Sequence, residues 1–430
     1  SLAKAQTVLE NLPVRNVVSW NALISGYAQH GYAGKALYCF EKMQNDGISP
    51  SEVTFVCILK ACGALKAIDK GQEIHARILM EGLLDKNDLV CTALIDMYAK
   101  CGAFSKAQGV LEKLTCPHVS SWNALISGYN QHGHCDEALI CFQEMQQKSI
   151  SPNGVTFTCI LKACGVTQSA DKGLGIYAKL LQEKWIEKDI LIGTALVDMF
   201  VKCSQLAKAM EVFEKLPFHD VVSWTTVIGG HAQHDCSEDA LNYFQKMQNE
   251  GIMPNSVTYI SVLKACGSMG AIGKGREVHA MVLSEGLLGK DILVGTALVD
   301  MYGKCGDIAQ VRELFNELPF RDTVLWNVLI ATYEQHGYDK EAIVSFEQMR
   351  NEGFSPNAVT YACILKACGS IREIDKGQEL HFEIDRDGFL GDNILVGNAL
   401  VHMYAKCGLL VKAQEVFNGL KVRSTMVWNQ

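Results

Sequence analysis

Cysteine and histidine are the residues of this 430-residue chain that could bind a metal or form covalent intermediates, and both recur at fixed intervals. No two of the 17 cysteines have the Cys-x-x-Cys spacing of common zinc and redox motifs. Eight of them return every 102 residues: Cys62, Cys164, Cys266, Cys368, Cys101, Cys203, Cys305 and Cys407. A thiol that recurs at one phase of a repeat is typical of a small buried residue at a tight helix contact. We therefore expect a reducing compartment.

The remaining candidates do not assemble into an active site. Four histidines follow a glutamine at the same 102-residue interval: His30, His132, His234 and His336. A single active site would not be copied four times. The segment 381–383 (His-Phe-Glu) matches half of a zinc deaminase motif, but the sequence lacks the Pro-Cys-x-x-Cys half. The segment 273–275 (Gly-Lys-Gly) has no preceding strand, as a phosphate-binding loop would. The sequence predicts neither an enzyme nor a cofactor.

Composition favours a folded protein without a strongly charged surface. Hydrophobic residues make up 48% and charged residues 20%, which disfavours intrinsic disorder. The formal net charge of −8 excludes polyanion binding by bulk charge alone. No stretch reaches the roughly 18 apolar residues of a membrane span, and Ser1 is not followed by a charged and apolar leader. We expect a soluble fragment without membrane or small-molecule partners, whose targeting segment is missing.

The 102-residue period organises the whole chain. Tryptophans and prolines both follow it: Trp20, Trp122, Trp224, Trp326 and Trp428; Pro50, Pro152, Pro254 and Pro356. Each period divides into three repeats, which in the first period span 17–51, 52–87 and 88–118. The four triplets are 17–118, 119–220, 221–322 and 323–424. Residues 1–16 end an earlier repeat and 425–430 begin a later one, so we expect a longer array.

Each repeat has the pattern of two helices. Between Trp20 and Gln29 apolar residues recur at i, i+3, i+4 and i+7, and Gly31 follows as a helix stop. A second such segment ends near Gly47. Four recurring threonines are predicted helix N-caps: Thr54, Thr156, Thr258 and Thr360. Helical hairpins of this length must stack to bury their apolar faces, which predicts an all-α fold, a right-handed α-solenoid superhelix of helix-turn-helix repeats.

The sequence motifs of the repeats resemble those of pentatricopeptide repeat proteins. Segments 17–27 (Val-Val-Ser-Trp-Asn-Ala-Leu-Ile-Ser-Gly-Tyr) and 47–50 (Gly-Ile-Ser-Pro) are similar to the P repeat of that family. Segments 53–55, 59–62 and 71–76 resemble its L repeat, and 92–102 its S repeat. The Trp-x-x-Leu-Gly-x-x-Tyr arrangement of tetratricopeptide repeats is absent. The resemblance covers essentially the whole chain in the order P, L, S, including a partial S repeat at 1–16 and the start of a P repeat at 425–430.

The resemblance implies that the fifth and last residues of a repeat together select one nucleotide of single-stranded RNA. In P and S repeats these pairs are Asn21 with Ser51, Thr92 with His118, Asn123 with Asn153, Thr194 with Asp220, Thr225 with Asn255, Thr296 with Asp322, Asn327 with Asn357, and Asn398 with Ser424. By the family rule, Asn with Ser or Asn implies cytosine, Thr with Asp guanine, and Thr with Asn adenine. Thr92 with His118 departs from the rule. Read from 5′ to 3′, the string is C-n-n-C-(G)-G-A-n-G-C-n-C.

The L repeats fit this rule less well. Three have an apolar fifth residue, which cannot hydrogen-bond a base: Val56 with Asn87, Ile260 with Asp291, and Ala362 with Asn393. Only Thr158 with Asp189 has the combination expected to select guanine. That guanine is the bracketed position of the string.

Two further residue sets are candidates for RNA contacts. The family places an apolar second residue between bases, which points to Val18, Val222 and Val324, with Ser120 as an exception. Buried positions at the start of a helix are the alternative for these valines. Four lysines at the end of a first helix are candidate phosphate contacts, with solvated helix faces as the alternative: Lys100, Lys202, Lys304 and Lys406.

The resemblance implies a sequence-specific RNA-binding protein, with one nucleotide per repeat, that specifies an organellar cytidine-to-uridine editing site. A DYW-type cytidine deaminase or editing accessory proteins would be partners, and any deaminase domain lies outside this chain. The expected location is a mitochondrion or chloroplast. A protein-binding helical scaffold and an RNA stability or processing factor are the alternatives.

Overall fold

The computed structural model describes residues 2–84, 87–114, 117–389 and 393–420. Every regular element within these ranges is an α-helix. The chain divides into two compact bodies, Ser1–His219 and Asp220–Gln430, which we call the N-terminal and C-terminal bodies. Among the described residues, no helix combines the length and apolar character needed to cross a membrane.

The described part of the N-terminal body contains fourteen helices. They are α1 Leu2–Glu10, α2 Val17–Gln29, α3 Ala33–Asn45, α4 Glu52–Leu65, α5 Ile68–Met80, α6 Asp88–Lys100, α7 Phe104–Lys113, α8 Val119–Gln131, α9 Cys135–Gln147, α10 Gly154–Val166, α11 Ala170–Gln182, α12 Trp185–Lys188, α13 Ile190–Lys202 and α14 Leu206–Glu214. Apart from α1 and the single-turn α12, they form six helical hairpins.

The described part of the C-terminal body contains twelve helices in six further hairpins. They are α15 Val221–Gln233, α16 Ser237–Asn249, α17 Ser256–Met269, α18 Ile272–Ser284, α19 Ile292–Lys304, α20 Ile308–Glu317, α21 Thr323–Gln335, α22 Asp339–Asn351, α23 Ala358–Ile371, α24 Ile374–Arg386, α25 Ile394–Lys406 and α26 Leu410–Gly419.

Each body has two layers. The first helices of successive hairpins pack directly on one another, in the order α2, α4, α6, α8, α10, α13 and in the order α15, α17, α19, α21, α23, α25. Each second helix packs on the first helix of its own hairpin, and most also pack on the first helix of the next. We call these the first-helix layer and the second-helix layer. This stacking confirms the predicted all-α solenoid of helical hairpins.

The core consists of the apolar stripes that the sequence pattern predicts. Trp20, Leu23, Ile24 and Tyr27 are each at most 4% exposed on α2. The hairpin then turns at Gly31, whose φ of +80° is a left-handed conformation that glycine adopts without a Cβ clash. The first row of recurring cysteines is completely buried, and burial raises the pKa of Cys62 to about 11. These four thiols therefore act as small core residues, as predicted, whereas the second row is only half-buried: Cys101, Cys203, Cys305 and Cys407.

The four recurring threonines are not the N-caps, so that prediction was wrong. The helix α4 begins at Glu52, and its N-cap is Ser51, three residues before Thr54. The Thr54 backbone N–H donates to Ser51 Oγ at 3.4 Å, and the Ser51 N–H donates to Thr54 Oγ1 at 2.9 Å. This reciprocal capping box fixes the start of the helix earlier than the threonine alone suggested. The same box recurs at α10, α17 and α23.

Candidate nucleic-acid interface

The last residue of a repeat is the N-cap of the next first helix. Side chains at this position accept a hydrogen bond from a backbone N–H of the first helical turn: Ser51, Asn87, His118, Asn153, Asp189, Asp220, Asn255, Asp291, Asp322, Asn357 and Asn393. Capping satisfies a backbone donor that the helix itself leaves unpaired. Each of these side chains is therefore held at the end of a rigid element.

The fifth residue of three P repeats bonds directly to the last residue of the same repeat. Asn21 Nδ2 donates to Ser51 Oγ at 2.8 Å. Equivalent bonds join Asn123 Nδ2 to Asn153 Oδ1 at 3.0 Å, and Asn327 Nδ2 to Asn357 Oδ1 at 3.2 Å. The structure thus brings together three pairs that the sequence predicted.

A buried threonine completes each of these pairs. Thr156 Oγ1 donates to Asn123 Oδ1 at 2.7 Å and accepts from the Asn153 backbone N–H at 3.1 Å. Thr54 and Thr360 donate to Asn21 and Asn327, each at 2.5 Å. Both ends of the fifth-residue amide are therefore engaged, and its orientation is fixed. We call each set of fifth residue, cap and buried threonine a cap triad; its recurring threonine was visible in the sequence, but its bridging role was not.

The cap triads determine which polar atom of the last residue is available to a ligand. Asn153 Oδ1 accepts from the Thr156 N–H at 3.1 Å and from Asn123 Nδ2. Asn153 Nδ2 has no bond among the described residues, so this cap presents a donor. An aspartate cap presents the opposite group: Asp322 Oδ1 accepts from the Leu325 N–H at 2.8 Å, and its second oxygen has no described partner. Asn153 thus presents a donor and Asp322 an acceptor, whereas the Asn87 Nδ2 donor is already bonded to Glu52.

The pairs with a threonine as fifth residue are arranged differently. Thr225 Oγ1 lies 2.7 Å from Thr258 Oγ1, and Thr258 in turn bonds Asn255, so this pair is joined through the buried threonine. Thr296 Oγ1 donates to its own helix at the Ile292 carbonyl, 2.9 Å away. No side-chain bond links Thr296 to Asp322 within the described ranges.

The other predicted pairs are placed as follows. Thr92 Oγ1 lies 3.2 Å from Ser120 Oγ, which is 2.9 Å from His118 Nδ1, so a serine joins this pair. Thr194 is half-buried on α13 of the N-terminal body, whereas Asp220 caps α15 of the C-terminal body. Asn398 is half-buried on α25, and its predicted partner at position 424 lies outside the described residues.

The L repeats present fewer polar groups at these positions. Val56 and Ile260 are half-buried, and Ala362 is buried. Thr158 Oγ1 donates to the Gly154 carbonyl at 2.9 Å. The paired Asp189 caps α13 by accepting from the Leu191 N–H at 2.9 Å. As in Asp322, a second carboxylate oxygen is left over.

Exposed aliphatic side chains accompany the caps. Val18, Val222 and Val324 are 70%, 53% and 54% exposed, which excludes the alternative of buried positions at the start of a helix. The same position is also exposed in L and S repeats, where it was not predicted: Val53, Leu89, Val155, Leu191, Val257, Leu293, Val359 and Leu395. Their shared phase was the signal that could have found them. Ser120 replaces the aliphatic residue once.

Three of the four candidate phosphate lysines are paired with a carboxylate of their own helix. Lys100, Lys202 and Lys304 each lie 2.7 Å from the aspartate four residues earlier. Lys406 has His402 at that position instead. Such partly exposed pairs are weak, so the lysines remain accessible to an anion, but the local charge is near zero.

The recurring histidines of the second-helix layer have a structural environment. His75, His279 and His381 each lie 2.8 to 3.0 Å through Nδ1 from a tyrosine hydroxyl of the next first helix. Burial lowers the pKa of all three imidazoles. In the second triplet the pair is Tyr177 with Phe200, with ring centroids 5.4 Å apart. A packing role explains why the pattern is copied along the chain.

Family models match the chain along its length. The model described as PPR repeat family matches residues 15–64, 117–165, 219–268 and 321–370. The model described as PPR repeat matches 89–116, 194–220, 296–322 and 398–424. Together they cover more than half of the chain. It belongs to the pentatricopeptide repeat family.

Curated relatives from Arabidopsis thaliana agree with this membership. The chain is 32% identical over 428 residues to the chloroplastic pentatricopeptide repeat-containing protein At4g18520, covering 99% of this chain and 69% of the relative. It is 32% identical over 426 residues to the mitochondrial protein At2g03380, covering 99% of this chain and 61% of the relative. These organellar locations agree with the location expected for this chain.

Solved structures of the family share the fold. The pentatricopeptide repeat protein PPR10 from maize matches with a TM-score of 0.66 at 20% identity, covering 97% of this chain and 66% of that one. PPR10 in complex with an 18-nt psaJ RNA element matches with a TM-score of 0.57 at 15% identity, covering 100% and 78%. At these identities the likeness establishes the solenoid of helical repeats.

Proposed function

We propose that the chain binds single-stranded RNA, with the P and S repeats each selecting one nucleotide through their fifth and last residues. The cap triads are the observation that carries this proposal. They hold a polar pair at the same place in three P repeats, fix its orientation and, at Asn153 and Asn357, leave the cap amide Nδ2 available. The RNA-bound structure of PPR10, which has the same fold, supports this ligand class.

The available cap atom provides the base selectivity. An asparagine cap donates through Nδ2, which suits the ring nitrogen acceptor of cytosine or adenine. An aspartate cap accepts, which suits the ring N–H of guanine or uracil. The proposed string in the 5′ to 3′ direction is therefore C-n-n-C-(G)-G-A-n-G-C-n-C, with the choice between purine and pyrimidine following the family rule for the fifth residue.

Base contacts also account for RNA binding by an acidic chain. The net charge is −8, and aspartates neutralise three of the candidate phosphate lysines. Each good base contact is worth about 1 to 3 kcal/mol of discrimination, so several act together more strongly than the weak charge term. The exposed aliphatic residues beside the caps, including Val18, Val222 and Val324, offer apolar surface on which bases can stack.

We further propose a place for this recognition in organellar RNA metabolism. The P, L, S order, with the four triplets 17–118, 119–220, 221–322 and 323–424, is that of the subfamily that specifies cytidine-to-uridine editing sites. A DYW-type deaminase, in cis or in trans, would then supply the chemistry. Loss of the protein is expected to abolish conversion of one organellar cytidine in a transcript that contains the string.

An equilibrium binding titration tests the RNA proposal. The full chain is titrated into a labelled 12-nucleotide RNA with the proposed string, and into a scrambled RNA of the same composition. We expect at least about a tenfold preference for the first, which corresponds to about 1.4 kcal/mol. Equal affinity for both would contradict base selection, and no binding to either would favour a protein-binding scaffold.

A further inference from the structure

The second triplet has a groove in the second-helix layer. It lies between α9 and α11 of the N-terminal body, has a volume of about 300 Å³ and is floored by apolar side chains, among them Leu139, Phe142 and Phe157. Lys172 and Lys179 line its walls. The groove contains none of the cap-triad residues, so its role is independent of the proposed RNA recognition.

Glycine replaces a recurring glutamate in the wall of this groove. The position of Gly175 is glutamate in the other three triplets: Glu73, Glu277 and Glu379. Each of these glutamates forms an ion pair with the lysine three residues earlier, at 2.9, 2.7 and 3.1 Å. Glycine has no side chain to cover the apolar floor or to neutralise Lys172. The lining of this groove therefore carries two lysines and no carboxylate, whereas the lysines equivalent to Lys172 in the other triplets are paired with a glutamate.

The neighbouring helix does not compensate for the missing carboxylate. In the first and fourth triplets a second glutamate, Glu41 or Glu347, also pairs with the lysine. The second triplet has Gln143 there instead. Neither Lys172 nor Lys179 has a carboxylate partner among the described residues, and the nearby Glu183 accepts from Trp185 Nε1 at 2.8 Å. Two unneutralised cations thus flank an apolar floor.

The spacing of the two lysines defines the ligand. Lys172 and Lys179 are seven residues apart on one face of α11, or about 10 Å along the axis. Lys179 Nζ lies 6.0 Å from the centre of the Phe157 ring, so its charge borders the apolar floor. A ligand that satisfies both walls and the floor carries two anionic groups about 10 Å apart with a bulky apolar group between them.

We propose that this groove binds an acidic peptide segment of a partner protein, with a phenylalanine or leucine between two carboxylates. In an extended segment alternate residues share a face and are about 6.6 Å apart. The pattern Glu-x-Phe-x-Glu therefore directs both carboxylates and the ring toward the groove. Its outer positions are about 13 Å apart, within reach of two flexible lysine side chains.

Fluorescence anisotropy with the full chain tests the groove. The probe is a labelled peptide Glu-Ala-Phe-Ala-Glu with blocked ends, and we expect saturable binding below about 1 mM. Peptides with both Glu replaced by Gln, or with Phe replaced by Ala, should each bind about tenfold more weakly. Absence of saturable binding, or equal binding of either control peptide, overturns the proposal.

Matched variants of the chain locate the site. Gly175→Glu restores the side chain of the other triplets, and a Cβ at Gly175 meets nothing within 4 Å, so the variant should fold normally. We expect it to weaken peptide binding about tenfold. Gly34→Glu adds the same charge to an open position of α3 and should leave binding unchanged. Unchanged binding in Gly175→Glu, an equal loss in Gly34→Glu, or displacement of the peptide by oligouridine overturns the proposal.

Discussion

Replacing Asp322 by Asn should change the base selected by the third S repeat from guanine to adenine. Asp322 Oδ1 caps α21 by accepting from the Leu325 N–H at 2.8 Å, and an asparagine Oδ1 can keep that bond. The second oxygen, an acceptor, becomes an amide donor. The fifth residue remains Thr296, and Thr225 with Asn255 is the natural form of the same combination. Only the hydrogen-bonding sense of one atom is altered.

The magnitude follows from the single contact that changes. A base contact contributes about 1 to 3 kcal/mol, so the ratio of dissociation constants for the guanine and adenine RNAs should shift by about 5- to 150-fold toward adenine. Asn and Asp are N-caps of similar quality, so the free energy of unfolding should change by only a few tenths of a kcal/mol, roughly. The assay is a binding titration with two 12-nucleotide RNAs that differ only at this position.

Asp291→Asn is the matched control. It removes the same charge from the same kind of cap, since Asp291 accepts from the Leu293 N–H at 3.0 Å at the start of α19. Its repeat has Ile260 as fifth residue, which cannot hydrogen-bond a base. We expect a small, uniform gain in RNA affinity from both variants because each removes a negative charge, and a changed base preference only from Asp322→Asn. An unchanged preference in Asp322→Asn, or the same change in both variants, would refute the assignment.

Three further predictions concern the cap triads, the packing and the buried histidines. Thr360→Val removes the hydrogen-bond donor to Asn327, so the free energy of unfolding measured in urea should fall by about 1 to 3 kcal/mol and the cytosine preference of that repeat should weaken. Thr360→Ser keeps the hydroxyl and should retain both. Full cytosine selectivity in the valine variant would contradict the bridging role. Gly128→Ala places a Cβ 3.2 Å from the Ala99 backbone and should lower the free energy of unfolding by about 1 to 3 kcal/mol. The control Gly109→Ala adds a Cβ in open space and should not destabilise the protein. Equal effects of the two substitutions would argue against the close contact at Gly128. Burial lowers the pKa of His279 below its usual 6.5, so the unfolded state takes up the proton first, and the stability contributed above pH 6.5 is lost as the pH falls. The double variant His279→Tyr, Tyr302→Phe has the residue types of the second triplet at these positions. Its melting temperature should fall less between pH 7.5 and 5.5 than that of the unmodified chain. An equal fall in both proteins would exclude His279 as a cause.

Periodicity was enough to predict most of the fold. The stripe from Trp20 to Tyr27 and the stop at Gly31 appear in the structure as a buried helix face and a left-handed turn. The start of α4 was predicted three residues late because Ser51 and Thr54 are both good capping residues. Only the reciprocal bonds between them decide which is the cap. The sequence pattern alone therefore cannot distinguish the two candidate N-caps.

Parts of the candidate interface required the structure. The pairs of fifth and last residues came from the family resemblance, and nothing in their spacing showed that Asn123 and Asn153 bond each other or that Thr156 bridges them. The groove beside Lys172 was also missed, because its lining comes from three helices, α9, α10 and α11, that lie apart in the sequence. Such a feature becomes visible only when the four triplets are compared with their ion pairs known.

Under the proposed function, one side chain must both cap a helix and recognise a base, and this double role restricts which residues can serve. The cap bond needs an acceptor on a short side chain, which favours Asn, Asp and Ser. After that bond is made, Asn has a donor left, Asp an acceptor, and Ser a hydroxyl that can do either. The three residues that cap best are therefore also the three that differ most in what they offer a base. His118 caps through Nδ1, which accepts from the Ser120 N–H at 3.3 Å, so Nε2 is the ring nitrogen left for a base. Under the proposal, His118→Asn or His118→Asp should bring that repeat back within the family rule.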